Sequence, residues 1–226
     1  LKALWSWAER SERFLVEEIS VQGADRSHKE TLIAMAGLQL QDNMLALDAD
    51  KASEAVKAHP WVKTARVRRR FPHRVEIEVQ EYLPKALVAL GHLYYCDEAG
   101  DLVKRYSPGE LTDLPLITGL ERAALEPKDP AAQGQLLRAL RLIDRLNAAA
   151  LTPIEVHGDP ALGLAFVDGE GGRIELGHEV TDTKLARARA SKAALSARGM
   201  KPARLDLGSG RRGNRVVARL AEGGGN

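Results

Sequence analysis

Apolar and polar positions alternate with a period of two through much of this chain and switch to a helical period in four places. Residues 14–23, "FLVEEISVQG", place Val16, Ile19 and Val21 in an imperfect alternation that predicts a strand ending at Gly23. Ser27 and Glu30 have the spacing of a capping box, so a helix is expected to open at Ser27. Leu32, Ile33, Met35 and Ala36 form its apolar face and Gly37 its stop. After a loop, Asp48 caps a second predicted helix, 49–58, which Pro60 ends. Trp61, Ala65, Val67 and Phe71 then alternate with Thr64, Arg66, Arg68 and Arg70. Beyond a Phe71-Pro72-His73 turn, Val75, Ile77 and Val79 alternate with Glu76, Glu78 and Gln80. The pattern is a hairpin with one apolar and one charged face, on which Arg66, Arg68 and Arg70 can lie across from Glu76 and Glu78.

After Pro84 the texture changes to short strands and glycine turns. "KALVAL" precedes "HLYYCDEAGDLVKRY", a hairpin turning at Asp97–Gly100, and "LPLITGL" follows. Asp129 and Pro130 have the chemistry of a helix start. Leu136, Leu140 and Ile143 lie on one face of that helix, with Arg138, Arg141 and Arg145 opposite. Next come a strand and a hairpin in which Leu164 and Phe166 answer Ile174 and Leu176 across Gly169–Gly172. A last helix, about 182–198, ends at Gly199, and strands at 203–207 and 214–220 follow.

Composition narrows the functional classes. The chain has 226 residues, 44% hydrophobic and 28% charged, the balance of an ordinary globular protein. No run of 18 apolar residues occurs. Trp5 and Trp7, just before Glu9, Arg10 and Arg13, fit a chain leaving a membrane, and equally a short amphipathic helix packed on the domain. Cys96 is the single cysteine, so no internal disulfide forms. Net charge is +2, but Asp182–Leu220 carries eleven Lys and Arg against two Asp. Such asymmetry suits either an anionic partner or a solvated helix face with charged loops. Lys184, Arg187, Arg189, Lys192 and Arg198 of the last helix could meet anionic lipid, an acidic partner, or water alone.

Candidate chemistry is sparse. Gly208-Ser209-Gly210-Arg211-Arg212-Gly213 spells G-x-G-x-x-G after a strand, but Asn214–Leu220 reads as another strand. A dinucleotide loop needs a helix there, to aim N–H groups at the pyrophosphate, and a second parallel strand beyond it. The glycines therefore read as a turn. His92 and Cys96, four apart, fall short of a zinc set. No nucleophile–base pattern is visible, and the basic C-terminal stretch has no aromatic residue to stack on bases. The sequence therefore predicts no catalytic residue, cofactor site or metal site, and no nucleic-acid partner.

The stretch "HPWVKTARVRRRFPHRVEIEVQEYLPKALV" matches a pattern P-W-V-x-x-A-x-V-x-R-x-x-P-x-x-L-x-I-x-V-x-E-x-x-P-x-A through Pro60, Trp61, Val62, Ala65, Val67, Arg69, Pro72, Ile77, Val79, Glu81, Pro84 and Ala86, with Val75 in place of Leu. On these residues Phe14–Val88 resembles the POTRA domain of the FtsQ/DivIB family of bacterial cell-division proteins. "YYCDEAGDLVKR", "LPLITG", "RIELG" and "RLDLGSGRRGNRVVARL" resemble that family's β domain. The resemblance implies an α+β chain: a POTRA domain (β-α-α-β-β) over 14–83, then an antiparallel β-rich domain with two helices over 84–221. Residues 1–13 are expected to be a membrane-proximal segment and 222–226 a flexible tail.

The resemblance further implies a non-enzymatic, single-pass inner-membrane scaffold of the divisome, with this region in the periplasm. FtsB/FtsL-like partners are expected to add a strand along Asn214, Arg215, Val216, Val217, Ala218, Arg219 and Leu220, and other division proteins to use the POTRA domain. The physical basis is that a last strand often lies at a sheet edge with unpaired backbone groups. A charge-protected, inert edge would look the same in sequence. The family usually continues with Arg-Tyr after L-D-L, where this chain has Gly208-Ser209. The alternative reading is a POTRA-bearing periplasmic adaptor or chaperone in outer-membrane protein assembly or secretion.

Overall fold

The computed structural model describes residues 14–110, 112–120, 129–207 and 216–220. They fall in two compact units that divide between Leu83 and Pro84.

The first unit runs β1 (Glu18–Gln22), α1 (Lys29–Met35), α2 (Ala49–Lys57), β2 (Val62–Arg70) and β3 (Arg74–Glu81). This is the β-α-α-β-β order of a POTRA domain. Its sheet has the order β1-β3-β2, with β1 parallel and β2 antiparallel to the central strand. Alternate residues Val75 and Ile77 of β3 are fully buried against Leu32 of α1 and Val56 of α2. Asp48 caps α2 by accepting from the Lys51 N–H at 3.0 Å, the expected chemistry.

Two local expectations are corrected. Ser27 makes no capping box. His28 holds the N-cap position of α1 without a side-chain cap, and the Ser27 hydroxyl lies 3.2 Å from His59 Nδ1 instead. In β2 the register shifts between Val62 and Thr64, which turns Val62 into the core; Trp61 is half-buried beneath the Arg26 guanidinium. Phe71 is 61% exposed at the hairpin turn. The charged face forms as expected: Arg66 and Arg68 lie opposite Glu78 and Glu76, and the ion pairs run diagonally, Arg68 to Glu78 at 2.9 Å and Arg70 to Glu76 at 2.6 Å.

The second unit contains β4 (Pro84–Ala89), β5 (Leu93–Asp97), β6 (Leu102–Arg105), β7 (Leu116–Thr118), α3 (Pro130–Ala148), β8 (Pro153–Asp159), β9 (Gly163–Asp168), β10 (Arg173–Gly177), α4 (Asp182–Ser196), β11 (Pro202–Asp206) and β12 (Val217–Leu220). Its nine strands form one sheet in the order β12-β11-β10-β9-β8-β7-β4-β5-β6. Most neighbours are antiparallel. The exceptions, β4–β7, β7–β8 and β10–β11, are parallel. In two of them a helix supplies the crossover that parallel strands require: α3 between β7 and β8, α4 between β10 and β11.

The Asp129 carboxylate accepts from the N–H groups of Ala131 and Ala132, and Pro130 follows it, so α3 starts where expected. Leu136, Leu140 and Ile143 of α3 and Leu185 of α4 join Val88, Ile117, Val156, Phe166, Ile174 and Leu205 in one core. Phe166 does face Ile174, but a bulge sets Leu164 opposite Gly177 rather than Leu176. No helix among the described residues is long and apolar enough to cross a membrane.

Candidate partner-docking edge

Strand β12 ends the nine-stranded sheet. It pairs antiparallel with β11, and among the described residues no strand lies on its other side. All four of its residues are exposed, Val217 to 58%. Val216, just before it, packs against the core, and Ala218 lies opposite the fully buried Leu205, so these two mark the helix-covered face. Val217 and Arg219 point to the other face. Asn214 and Arg215 lie outside the described residues, as does the glycine run 208–213. The strands that flank that run are antiparallel to one another, so it joins two strands and not a strand to a helix.

Sequence reading missed what stands behind the edge. Arg219 of β12 is opposite Arg204 of β11, which is opposite Arg173 of β10. Three guanidinium groups therefore share one row of the open face. The buried carboxylate of Glu175 offsets two of them, 2.7 Å from Arg173 and 3.4 Å from Arg204. Like charges directly opposite one another disfavour pairing, and the Arg204–Arg219 pair has that arrangement. Only the parallel β10–β11 pairing brings Arg173 into the row, and that pairing cannot be read from either strand's own pattern. The one available signal was α4 lying between the two strands.

Other candidates resolve into structural roles. The basic residues of α4 are partly internal clamps. Lys184 Nζ donates to the carbonyls of Leu176 and Glu179, and Lys192 Nζ sits 2.8 Å from Asp168 and 3.5 Å from Glu170. Burial opposes the Lys192 charge, but hydrogen bonding and attraction to these carboxylates outweigh it and hold its pKa above the usual lysine value. Arg145, read as part of a polar face, binds the Val180 carbonyl and Asp182, tying α3 to α4.

His92 precedes β5, is exposed, and lies 2.9 Å from Arg105, whereas Cys96 is fully buried. Burial, with the neighbouring charges of Asp97 and Asp101, pushes the Cys96 thiol up to about 12. Among the described residues no group of three or more His, Cys, Asp or Glu is placed to hold a metal ion.

Glu81, a residue of the family pattern, is 9% exposed at the end of β3. Its carboxylate accepts the N–H groups of Asp25 at 3.1 Å and of Arg26 and Ser27 at 2.7 Å. Burial opposes its ionisation. The Ser27 hydroxyl and the three N–H groups outweigh burial and hold its pKa below the usual glutamate value.

The comparisons with known proteins decide the family. The profile of the "POTRA domain, FtsQ-type" matches residues 14–82. The chain is 37% identical over 221 residues to the cell division protein FtsQ of Anaeromyxobacter sp. (strain K), covering 96% of this chain and 75% of that protein. The chain belongs to the FtsQ family. A second FtsQ, from Myxococcus fulvus, is 37% identical over 88% of this chain and 71% of its own length. The FtsQ of Syntrophotalea carbinolica is 35% identical over 78% and 64%. Both units fall within the longest of these matches, so membership of the FtsQ family rests on more than the POTRA segment.

Proposed function

We propose that this chain is the extracytoplasmic part of a non-enzymatic, membrane-anchored scaffold of the cell-division machinery. In this reading it recruits FtsB/FtsL-like partners by pairing an extended partner segment with β12. The observation that carries the proposal is the exposed, outermost strand Val217–Leu220, whose far side offers backbone donors and acceptors. The arginine row behind it favours an acidic segment, since a carboxylate added opposite Arg219 relieves the Arg204–Arg219 repulsion. Asn214 and Arg215 extend the same edge in sequence. Residues 1–13 act as the membrane-proximal connector, residues 14–83 as the POTRA domain open to other division proteins, and residues 84–221 as the β domain. Membership of the FtsQ family supports each of these assignments.

The test is a binding titration against the extracytoplasmic segments of FtsB- and FtsL-like proteins. It compares the intact chain, a copy truncated after Gly213, and Arg219→Glu. Binding by the intact chain, loss in a truncated copy that remains folded, and at least a tenfold loss in Arg219→Glu are expected. Equal binding by all three would overturn the β12 site.

A further inference from the structure

The turn between β2 and β3 carries a large apolar side chain that is mostly exposed. Phe71 stands at the tip, 61% exposed, and its ring makes a T-shaped contact with that of Phe14, with centroids 6.3 Å apart and planes at 89°. The tip is fastened to the segment by which the chain enters the unit. The His73 carbonyl accepts the N–H groups of Glu17 at 2.8 Å and Glu18 at 3.2 Å, and His73 Nδ1 lies 3.2 Å from the Leu15 carbonyl. Phe71 and the chain's entry point are therefore one place on the surface. Trp5 and Trp7 lie within nine residues of Phe14. Nine residues reach at most about 30 Å when fully extended. A membrane held by those tryptophans is within reach of Phe71.

A crevice of about 790 Å³ opens beside Phe71, lined among others by Glu17, Glu18, Arg70, Arg74 and Glu76. Its charges alternate in sign: Arg70 pairs Glu76 at 2.6 Å and Arg74 pairs Glu18 at 2.7 Å. Most of these side chains are half-exposed, so the pairs are individually weak and readily exchanged. A strongly anionic ligand would find three carboxylates, those of Glu17, Glu18 and Glu76, against the two guanidinium groups of Arg70 and Arg74. A zwitterionic headgroup fits this mixture, its phosphate accepting from the arginines and its amine facing the glutamates. An exposed phenyl ring beside such a site gains by burying its apolar surface at the headgroup–acyl boundary.

We infer that the β2–β3 tip is a bilayer contact: Phe71 enters the interface while the adjacent crevice holds the headgroup of a zwitterionic lipid. This rests on the reading of the chain as membrane-anchored and adds a second lipid contact to that anchor. The POTRA unit is thereby held against the membrane by its tip as well as by its connector.

The experiment uses the 226-residue chain with Trp5→Phe and Trp7→Phe, leaving Trp61 as an internal reference, with and without Phe71→Trp. An N-terminal hexahistidine tag tethers it to phosphatidylethanolamine–phosphatidylcholine vesicles through a nickel-chelating lipid. Brominated acyl chains are expected to quench the Phe71→Trp protein at least twofold more than its parent, with the effect retained in 0.5 M salt. Equal quenching of the two proteins would overturn the inference, as would quenching that appears only with anionic lipid and vanishes in salt. A Phe71→Ser chain that loses tenfold in affinity for the FtsB- or FtsL-like segments in solution, with no bromolipid quenching of Phe71→Trp, would make the tip a protein contact instead. The quenching needs no partner and the partner titration needs no lipid, so failure of one reading leaves the other measurable.

Discussion

Replacing Glu81 by Gln keeps the size of the side chain and removes the charge that gathers three consecutive N–H groups. The two shorter bonds, 2.7 Å each, go to different carboxylate oxygens, so one of them must meet the new amide NH2, donor against donor. Hydrogen bonds to a charged group contribute about 1.5–3 kcal/mol each, and a stranded buried donor costs about 1–3 kcal/mol. With the amide oxygen in the Oε2 place the bonds from Asp25 and Arg26 survive in neutral form and that from Ser27 is lost, so the loss should be about 2–4 kcal/mol. For a unit of this size each kcal/mol moves the midpoint by about 4–8 °C, giving a fall of roughly 8–30 °C.

The assay is urea and thermal unfolding followed by Trp61 fluorescence, with Trp5 and Trp7 replaced by Phe. Arg26, one of the N–H donors, carries the guanidinium that lies 5.2 Å from the Trp61 ring centroid, so the probe reports on this corner. The folded pKa of Glu81 lies below the ordinary 4.5. Its contribution is therefore complete above about pH 4.5 and is lost as pH falls through the lower folded value. The Gln variant should lose that part of the acid limb. A loss below about 0.5 kcal/mol, the scale of an inert surface change, together with an unchanged acid limb would refute the reasoning.

Lys192→Met should cost about 2 kcal/mol by leaving the 2%-exposed Asp168 with only its N–H partners, read as a lower urea midpoint of the β domain. The raised pKa of Lys192 makes its own contribution full below the ordinary 10.5 and lost as pH climbs through the higher folded value, a fall that the Met variant should not show. Cys96 should resist iodoacetamide at pH 8 in the folded chain and react fully once unfolded, as mass spectrometry would show, because its thiolate is scarce and its sulfur fully buried. Gly119→Ala should cost at least about 2 kcal/mol in a thermal melt. Gly119 has φ +81°, and an added Cβ would lie 2.1 Å from the Gly158 carbonyl oxygen of β8.

What the chain discloses in its pattern is what local chemistry controls. Asp48 and Asp129 have the chemistry of helix caps, and both cap helices. The turn residues at Asp97–Gly100 and Gly169–Gly172 place two hairpins, and the alternation of Val75, Ile77 and Val79 marks a buried strand face. Ser27 was misleading because its hydroxyl and N–H are claimed by His59 and Glu81, partners 32 and 54 residues away. Trp61 and Phe71 share a parity with Ala65 and Val67, but the register shift at Val62–Thr64 and the end of the strand at Arg70 take both off the core face. The outer edge of the sheet was legible as a last strand. The arginine row behind it was not, because it depends on which strands become neighbours across α4.

A strand that docks on β12 must continue its pleat. The partner residue opposite Arg219 turns to the open face, while those beside it turn toward the side of Val216 and Ala218, and the assignment reverses at every step along the chain. An interface of this kind is therefore far more sensitive to insertion than to replacement. Changing one partner side chain removes one contact. Adding a single residue within the docked stretch would turn every later side chain to the wrong face and carry the acidic positions away from the arginines. Partner segments that pair with this edge should vary in letters away from the acidic positions but hold their count.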